Sequence, residues 1–287
     1  MWTLLTCTFT VNSAYFGGLS MDCLTFCPTT RRVPTRTGTL VVHDSGGAGR
    51  PLLLWPSLFT DHTLYDGIQQ RLAGAWRTLA VEAPGFGDSD PLPLKAGPLA
   101  PAEGLPDLLD ALGIGEVTIA GTAWGGQVAA AFAAAHPDRV AGLLLMNTPL
   151  MFGFSNHFLA LALSRLVHGQ TFFADGLAKA MLGDTTRREA PHLVQAFVER
   201  FHRFHPKDAA RTAHAVIRQS TALPPLSGIT CPTLLLFGDE DRTCPARTHL
   251  AWSQRLPNAQ FRVVKECGPL APLEAPADVV DALATLA

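Results

Sequence analysis

Charge is scarce in this chain. Only 16% of its 287 residues are Asp, Glu, Lys or Arg, and the two signs nearly cancel to a formal net charge of −2. A surface so close to neutral, with no basic run, creates no long-range field for a polyanion, which excludes nucleic acid as a partner. Long apolar runs are missing as well. The first twenty residues, MWTLLTCTFTVNSAYFGGLS, are interrupted by Thr, Asn and Ser, and Phe158 to Val167 is too short to cross a bilayer. No Lys or Arg precedes the first of these stretches, so it lacks the positive region of a secretory leader. The expectation is a cytoplasmic protein with no membrane association, in which residues 1–30 form an N-terminal extension outside the packed fold; translation from Met21 is a plain alternative. Cysteine is sparse too. Six residues are scattered at 7, 23, 27, 231, 244 and 267, and Cys23 and Cys27 have no second ligand pair close by, so neither a disulfide framework nor a metal site is expected. Histidine is absent altogether after His249.

What is present is apolar. Hydrophobic residues make up 47% of the chain, enough for a sizeable core in one α/β domain carrying an insertion. The organising stretch runs from Val117 to Pro149. An apolar run, Val117 to Ala120, meets a Gly-rich corner; an alanine-rich helix follows directly, His136-Pro137-Asp138 closes it, and a second apolar run spans Val140 to Met146. Gly121, Gly125 and Gly126 surround Ala123 with the small residues that a strained strand-to-helix turn requires.

The same alternation extends on both sides. Val33 to Asp44 reads as two strands around a turn at Thr37-Gly38, Leu52 to Trp55 as a strand buried on both faces, Leu64 to Trp76 as a helix, Thr78 to Glu82 as a strand and Leu105 to Ile114 as a short helix. After Pro149 the strands stop. Helical patterns cover Phe158 to Val167, Phe172 to Leu182, Arg187 to Phe204 and Lys207 to Gln219. Strand and helix then resume with Thr233 to Phe237, Ala246 to Leu256, Gln260 to Val264 and Leu273 to Leu286. The expected fold is α/β: a mostly parallel sheet with helices on both faces, its core formed by residues 31–149 and 227–287, with a helical cap inserted at 150–226.

These residues carry a resemblance to the α/β-hydrolase superfamily, which extends from about Thr37 to the C-terminus. The corner around Ala123 resembles the small-x-nucleophile-x-small elbow; Ala83-Pro84-Gly85-Phe86-Gly87-Asp88-Ser89 after Glu82 resembles the D-x-P-G-x-G-x-S segment; and LLLWPSLFTD resembles the S-N-S-L-G-T-D segment of β-ketoadipate enol-lactone hydrolases. The resemblance implies a serine nucleophile, an acid, a histidine base and two backbone donors for an oxyanion. Here the nucleophile position is Ala123. The acid position, in Gly238-Asp239-Glu240-Asp241 before Pro245, is Asp241. Gly268, Glu274 and Pro276 fit the G-H-x-P-x-x-E-x-P loop in register, which makes Pro269 the residue at the histidine position. The backbone donors fall on Leu58 and Trp124, with Ser57 and His62 beside the first of them.

A methyl group cannot attack a carbonyl, and proline has no proton to move. Loss at two positions points to a scaffold kept without its hydrolytic machinery. The first expectation is therefore a pseudoenzyme, or a cofactor-free cyclase, lyase or isomerase, that binds a small apolar carbonyl or carboxylate compound. An oxyanion corner alone retains about 10³ to 10⁴-fold catalysis over water. An ester or lactone hydrolase with a recruited nucleophile and base, for instance Ser57 with His62, is the alternative, and a binding or scaffolding protein is the third. Neither a cofactor nor a metal is expected. Lone histidines of the cap, His157, His168, His192, His202, His205 and His214, read as surface side chains, and Cys267 as a small buried hydrophobe.

Overall fold

The computed structural model describes residues 27–149, 174–218, 226–244, 252, 254–256 and 259–286. Eight strands form one sheet: β1 (Thr29–Thr35), β2 (Gly38–Asp44), β3 (Arg50–Trp55), β4 (Trp76–Glu82), β5 (Val117–Thr122), β6 (Val140–Met146), β7 (Thr233–Gly238) and β8 (Ala259–Val264), in the order β1-β2-β4-β3-β5-β6-β7-β8. β2 runs antiparallel to both β1 and β4, and every pairing from β4 to β8 is parallel. Strands covered on both faces need apolar residues at consecutive positions, and the sequence supplies them: Leu52, Leu53, Leu54 and Trp55 are all fully buried.

Three helices pack against the first part of the sheet: α1 (Asp66–Leu72), α2 (Ala100–Ala111) and α3 (Trp124–Ala135). α3 is buried along most of its length because alanine side chains let its backbone lie close to β5 and β6. Between β6 and β7 the described chain is helical, with α4 (Ala174–Met181), α5 (Asp184–Glu189), α6 (Pro191–Phe201) and α7 (Pro206–Arg218); α8 (Ala271–Glu274) and α9 (Pro276–Ala284) follow β8. Among the described residues no helix is long and apolar enough to cross a membrane.

Several elements differ from the sequence expectation, and backbone chemistry explains most of the differences. The helix expected over Leu64 to Trp76 is a 3-10 turn (His62–Tyr65) followed by α1; Gly74, at φ +88, turns the chain so that Trp76 opens β4 opposite Arg50. The single helix expected over Arg187 to Phe204 is broken at Ala190, and the closing helix is broken at Ala275. Each break is the residue before a proline, Pro191 or Pro276, held out of the helical region. α2 starts five residues before the expected Leu105. The expected helix at Phe158 to Val167 and most of that at Ala246 to Leu256 lie outside the described residues, as does nearly all of the expected extension.

The helical block is fastened over the C-terminal ends of the strands. Phe59 and Phe86 from the loops after β3 and β4 meet edge to face at 6.2 Å between ring centroids; Phe201 of α6 packs on Phe59 at 5.9 Å and Phe204 on Phe86 at 5.1 Å. Polar ties run beside this cluster. Thr212 of α7 donates to the Pro84 carbonyl at 2.6 Å, Glu240 accepts from the Thr185 backbone at 2.8 Å, and Arg200 pairs with Asp61 at 3.4 Å.

The close approach of β5 and α3 depends on glycine. A Cβ at Gly126 would overlap the Thr148 hydroxyl, whereas one at Gly115 would meet nothing within 4 Å. Gly126→Ala is expected to lower unfolding stability by about 1–3 kcal/mol, as overpacking does, and Gly115→Ala to leave it nearly unchanged. Urea midpoints of the two variants check this; equal midpoints would refute the seat as tight.

Candidate functional site

The turn from β5 to α3 places Ala123 at φ +51, ψ −114, a conformation that L-residues adopt only under constraint. The surroundings impose it. Cβ atoms at Gly121 and Gly125 would collide with the Gly125 carbonyl and with the Trp55 and Pro56 carbonyls respectively, so only glycine lets the first turn of α3 sit this close to β3 and β5. Ala123 itself donates its N–H to the Met146 carbonyl at 2.8 Å. Its side chain is partly exposed while Thr122 and Trp124 beside it are buried, so the turn presents position 123 and hides its neighbours.

Leu58 and Ser57 lie on the loop after β3, both buried. That loop is pinned from within: Thr60 donates to the Ser57 carbonyl, and the Tyr65 hydroxyl donates to the Trp55 carbonyl at 2.6 Å while lying 3.0 Å from the Thr122 hydroxyl. Among the described residues the Leu58 and Trp124 N–H groups have no protein acceptor. The Trp124 N–H also stands at the N-terminus of α3, where backbone dipoles favour negative charge.

Asp241 is 6% exposed and held by four donors. Its Oδ1 accepts from the Thr243 N–H and hydroxyl, both at 2.7 Å, and from the Cys244 N–H at 2.9 Å; among the described residues its Oδ2 accepts from Asn147 Nδ2 alone, at 2.9 Å. Burial pushes this carboxyl above its ordinary value, and the donors from Thr243 and Asn147 oppose the rise without cancelling it. The Asn147 amide is oriented by two acceptors, Asp241 Oδ2 and the Gly268 carbonyl at 3.3 Å, which leaves its buried Oδ1 with no protein donor among the described residues.

Pro269 is buried in a loop that Glu274 clasps. Glu274 accepts from the Gly268 and Leu270 N–H groups at 3.2 and 2.9 Å, from the Gly183 N–H at 2.8 Å and from the Thr186 hydroxyl at 2.7 Å. The loop is thereby stitched to the start of α5. Burial also pushes the Cys267 thiol far up, which leaves it un-ionised and unreactive.

His62 is drawn elsewhere. Its Nδ1 lies 2.9 Å from Glu82 Oε1, its ring stacks on His43, and no hydrogen bond joins it to Ser57, so the expected Ser57–His62 pairing is not formed. Sequence reasoning passed over His43 and Asn147; neither sits in a motif, and only the folded sheet brings them to Glu82 and Asp241. His192, His202, His205 and His214 are exposed, in keeping with surface side chains; His157 and His168 lie outside the described residues.

Comparison with known proteins adds a second line of observation. The family model described as alpha/beta hydrolase fold matches residues 50–276, well over half of the chain. A 2-hydroxy-6-oxononadienedioate/2-hydroxy-6-oxononatrienedioate hydrolase of Cupriavidus pinatubonensis is 30% identical, over 70% of this chain and 72% of that protein. A 2-hydroxymuconate semialdehyde hydrolase of Pseudomonas putida is 28% identical, over 80% of this chain and 79% of that protein. Among solved structures, a thermophilic esterase from Thermogutta terrifontis superposes with a TM-score of 0.78 at 27% identity, covering 90% of this chain and 97% of that one. The enol-lactonase of Burkholderia xenovorans LB400 does so with a TM-score of 0.80 at 19% identity, over 89% and 99%, and speaks for the fold alone.

Among the described residues Asn147 alone donates to Oδ2 of Asp241, and a carboxylate oxygen has two acceptor sites, so a further donor can be accommodated there. Ala123→Ser combined with Pro269→His is therefore expected to create a site that a fluorophosphonate labels covalently at position 123, with neither single substitution sufficient. Intact mass and peptide mapping read the result; an unlabelled double variant that is still folded would mean that the three positions no longer converge.

Proposed function

The chain belongs to the α/β-hydrolase family, and from that premise we propose that it is a hydrolase of small carbonyl compounds in which water, and no side chain of the elbow, attacks the carbonyl carbon. The observation that carries this reading is the retained elbow. A left-handed φ at Ala123 costs roughly 1–3 kcal/mol with no nucleophile to present. What the strained turn still does is leave the Trp124 N–H, like that of Leu58, without a protein acceptor among the described residues, next to the partly exposed position 123. Two such donors stabilise the charge that develops on a carbonyl oxygen as its carbon becomes tetrahedral.

Asp241 is the group suited to take the proton. Its raised carboxyl makes it a stronger base than an ordinary aspartate, and its Oδ2 accepts from Asn147 alone among the described residues. In this scheme a water hydrogen-bonded to Asp241 Oδ2 adds its oxygen to the carbonyl carbon and gives its proton to the carboxylate. The bond to the leaving group then breaks, and that proton passes to the departing group: the alkoxide of an ester or, where a C–C bond is cleaved as in 2-hydroxymuconate semialdehyde, the departing carbanion, stabilised as a dienolate. No acyl-enzyme forms. The relatives named as hydrolases favour a hydrolytic reaction over simple binding, and 2-hydroxymuconate semialdehyde, the compound in the name of the Pseudomonas putida relative, is a fitting first compound to try.

A second reading keeps the ligand and drops the hydrolysis. The buried Pro269, with no donor or acceptor on its ring, supports a protein that binds a carbonyl compound at the same corner, or rearranges it as a cyclase, lyase or isomerase.

Turnover of 2-hydroxymuconate semialdehyde and of an activated aryl ester separates the two. The hydrolytic reading expects slow turnover without a burst, no fluorophosphonate adduct on the wild-type protein, and a loss of about 10² or more in Asp241→Asn, the scale of general-base catalysis. An adduct on any residue, or undiminished rates in Asp241→Asn, overturns it. Thermal stabilisation by the ligand with no product formed selects the second reading.

A further inference from the structure

Away from the elbow, at the β2–β4 side of the sheet, one carboxylate oxygen serves two histidines. Glu82 Oε1 lies 3.0 Å from His43 Nε2 and 2.9 Å from His62 Nδ1, and the two rings stack with centroids 3.5 Å apart and planes at 22°. Glu82 Oε2 accepts from the Asp88 N–H at 2.6 Å, so both oxygens are committed. The carboxylate has no freedom to swing, because Gly87 packs on it so closely that a Cβ there would collide with it.

Two histidines and a glutamate invite a metal ion, and the ring geometry argues against one. An ion about 2.0–2.1 Å from an imidazole nitrogen binds along that nitrogen's lone pair, in the plane of the ring. Rings stacked face to face at 3.5 Å direct their lone pairs side by side, so an ion shared between them would sit well out of both planes. Two N–H donors also point along their ring planes, but an oxygen about 3 Å away is reached with less departure from those planes than an ion at about 2.0–2.1 Å would need. That assignment also fixes the tautomers: His43 donates from Nε2 and leaves Nδ1, 3.3 Å away, to accept from the Thr30 hydroxyl, while His62 donates from Nδ1.

We propose that His43, His62 and Glu82 form a proton-operated latch, which accepts one proton beyond the neutral state and tightens the hold of the 3-10 turn after β3 on β2 and β4 when it does. The stack limits the count to one. A single imidazolium faces Glu82 directly and Asp61 and Asp66 nearby, whereas a second would place two cations 3.5 Å apart over one carboxylate. The added proton belongs on His62, whose acidic neighbours hold its pKa above the ordinary value despite the opposing effect of burial. The groups facing the stack are Glu82 from β4, Asp61 from the loop after β3, Asp66 from α1, the Thr30 hydroxyl from β1 and, through Asp61, Arg200 from α6. Asp61 caps the 3-10 turn that carries His62, accepting from the Thr63 N–H at 3.0 Å, and also pairs with Arg200 at 3.4 Å, a cation that a charged His62 competes with and does not reinforce.

The pH window follows from the signs. A raised His62 value stabilises the fold below the unfolded value of about 6.5 and ceases to do so as pH rises through the folded value. Glu82, held down to about 2 by His43, His62 and the Asp88 N–H against the opposing effect of burial, stabilises above about 4.5 and stops as pH falls toward 2. Both contributions coexist from about pH 4.5 to the raised His62 value.

Urea unfolding of the full chain at pH 5.5 and 8.0, beside His62→Gln and Glu82→Gln, tests the latch. The wild-type folding equilibrium is expected to gain at least about threefold at pH 5.5 relative to His62→Gln, with slower amide exchange across residues 62–65 at the lower pH. In Glu82→Gln the His62 imidazole is expected to titrate lower by NMR, a readout that survives even if the His62 variant folds poorly. Parallel stability curves for wild type and His62→Gln, a His62 titration unmoved in Glu82→Gln, or a marked rise in Tm on adding Zn²⁺ or Ni²⁺ that Glu82→Gln abolishes would each overturn the proposal, the last in favour of a metal site.

Discussion

The molecule depends on how closely α3 can be set down on the sheet. Gly121, Gly125 and Gly126 let the helix begin against β3 and β5 at a distance that any Cβ would forbid, and the residue caught in the turn takes a left-handed φ as a result. The strain at Ala123 is thus a consequence of packing more than a device for presenting a particular side chain. The turn is over-determined by its neighbours, so its backbone, with the Trp124 N–H, does not depend on which side chain stands at position 123.

A second constraint comes from the few charges this sequence has. Asp241, Glu274, Glu82 and Asp44 are largely withdrawn from water, and each collects several donors. Asp44 takes Arg31 and Arg77 while Glu274 gathers the backbone of its own loop together with Gly183 and Thr186 of the helical block. Buried carboxylates are tolerable only when satisfied in this way, and removing one partner costs more than the pair contributes. Asp241, Glu274 and Glu82 act as staples that fix loops at the C-terminal ends of the strands, while Asp44 ties β2 to β1 and to the start of β4. Asp241 can therefore keep its place with no histidine to orient, since Thr243, Cys244 and Asn147 hold it.

Legibility in the sequence varied with the range of the interaction involved. Continuous apolar runs such as Leu52 to Trp55 and Val140 to Met146 read directly as strands, because burial on both faces leaves no alternation to misjudge. The elbow read from its glycines for the same local reason. Helix boundaries read less well: the apolar spacing of Arg187 to Phe204 and Leu273 to Leu286 outweighed Pro191 and Pro276, although the backbone rule at a pre-proline residue was available in both. Trp76 was misjudged because its spacing from Leu72 fits a helix face, while its pairing with Arg50 is a contact between segments. The pairing of Ser57 with His62 failed for a similar reason. Nothing local told that a histidine 19 residues earlier and a glutamate 20 residues later would claim that ring.

By itself the sequence determined the alternation of strands and helices, the strained corner, and the chemistry available there: a methyl group at position 123, a proline at 269, an aspartate at 241. Those are properties of residue type and near-neighbour spacing, which a chain carries before it folds. Only the tertiary structure decided which polar groups meet. Asn147 reaches Asp241 across 94 positions, Glu274 reaches Gly183 across 91, and His43 and His62 come to share one oxygen of Glu82. Hydrogen bonds and ring stacking depend on ångström-scale placement of groups far apart in the chain, and no periodicity in the sequence encodes that placement.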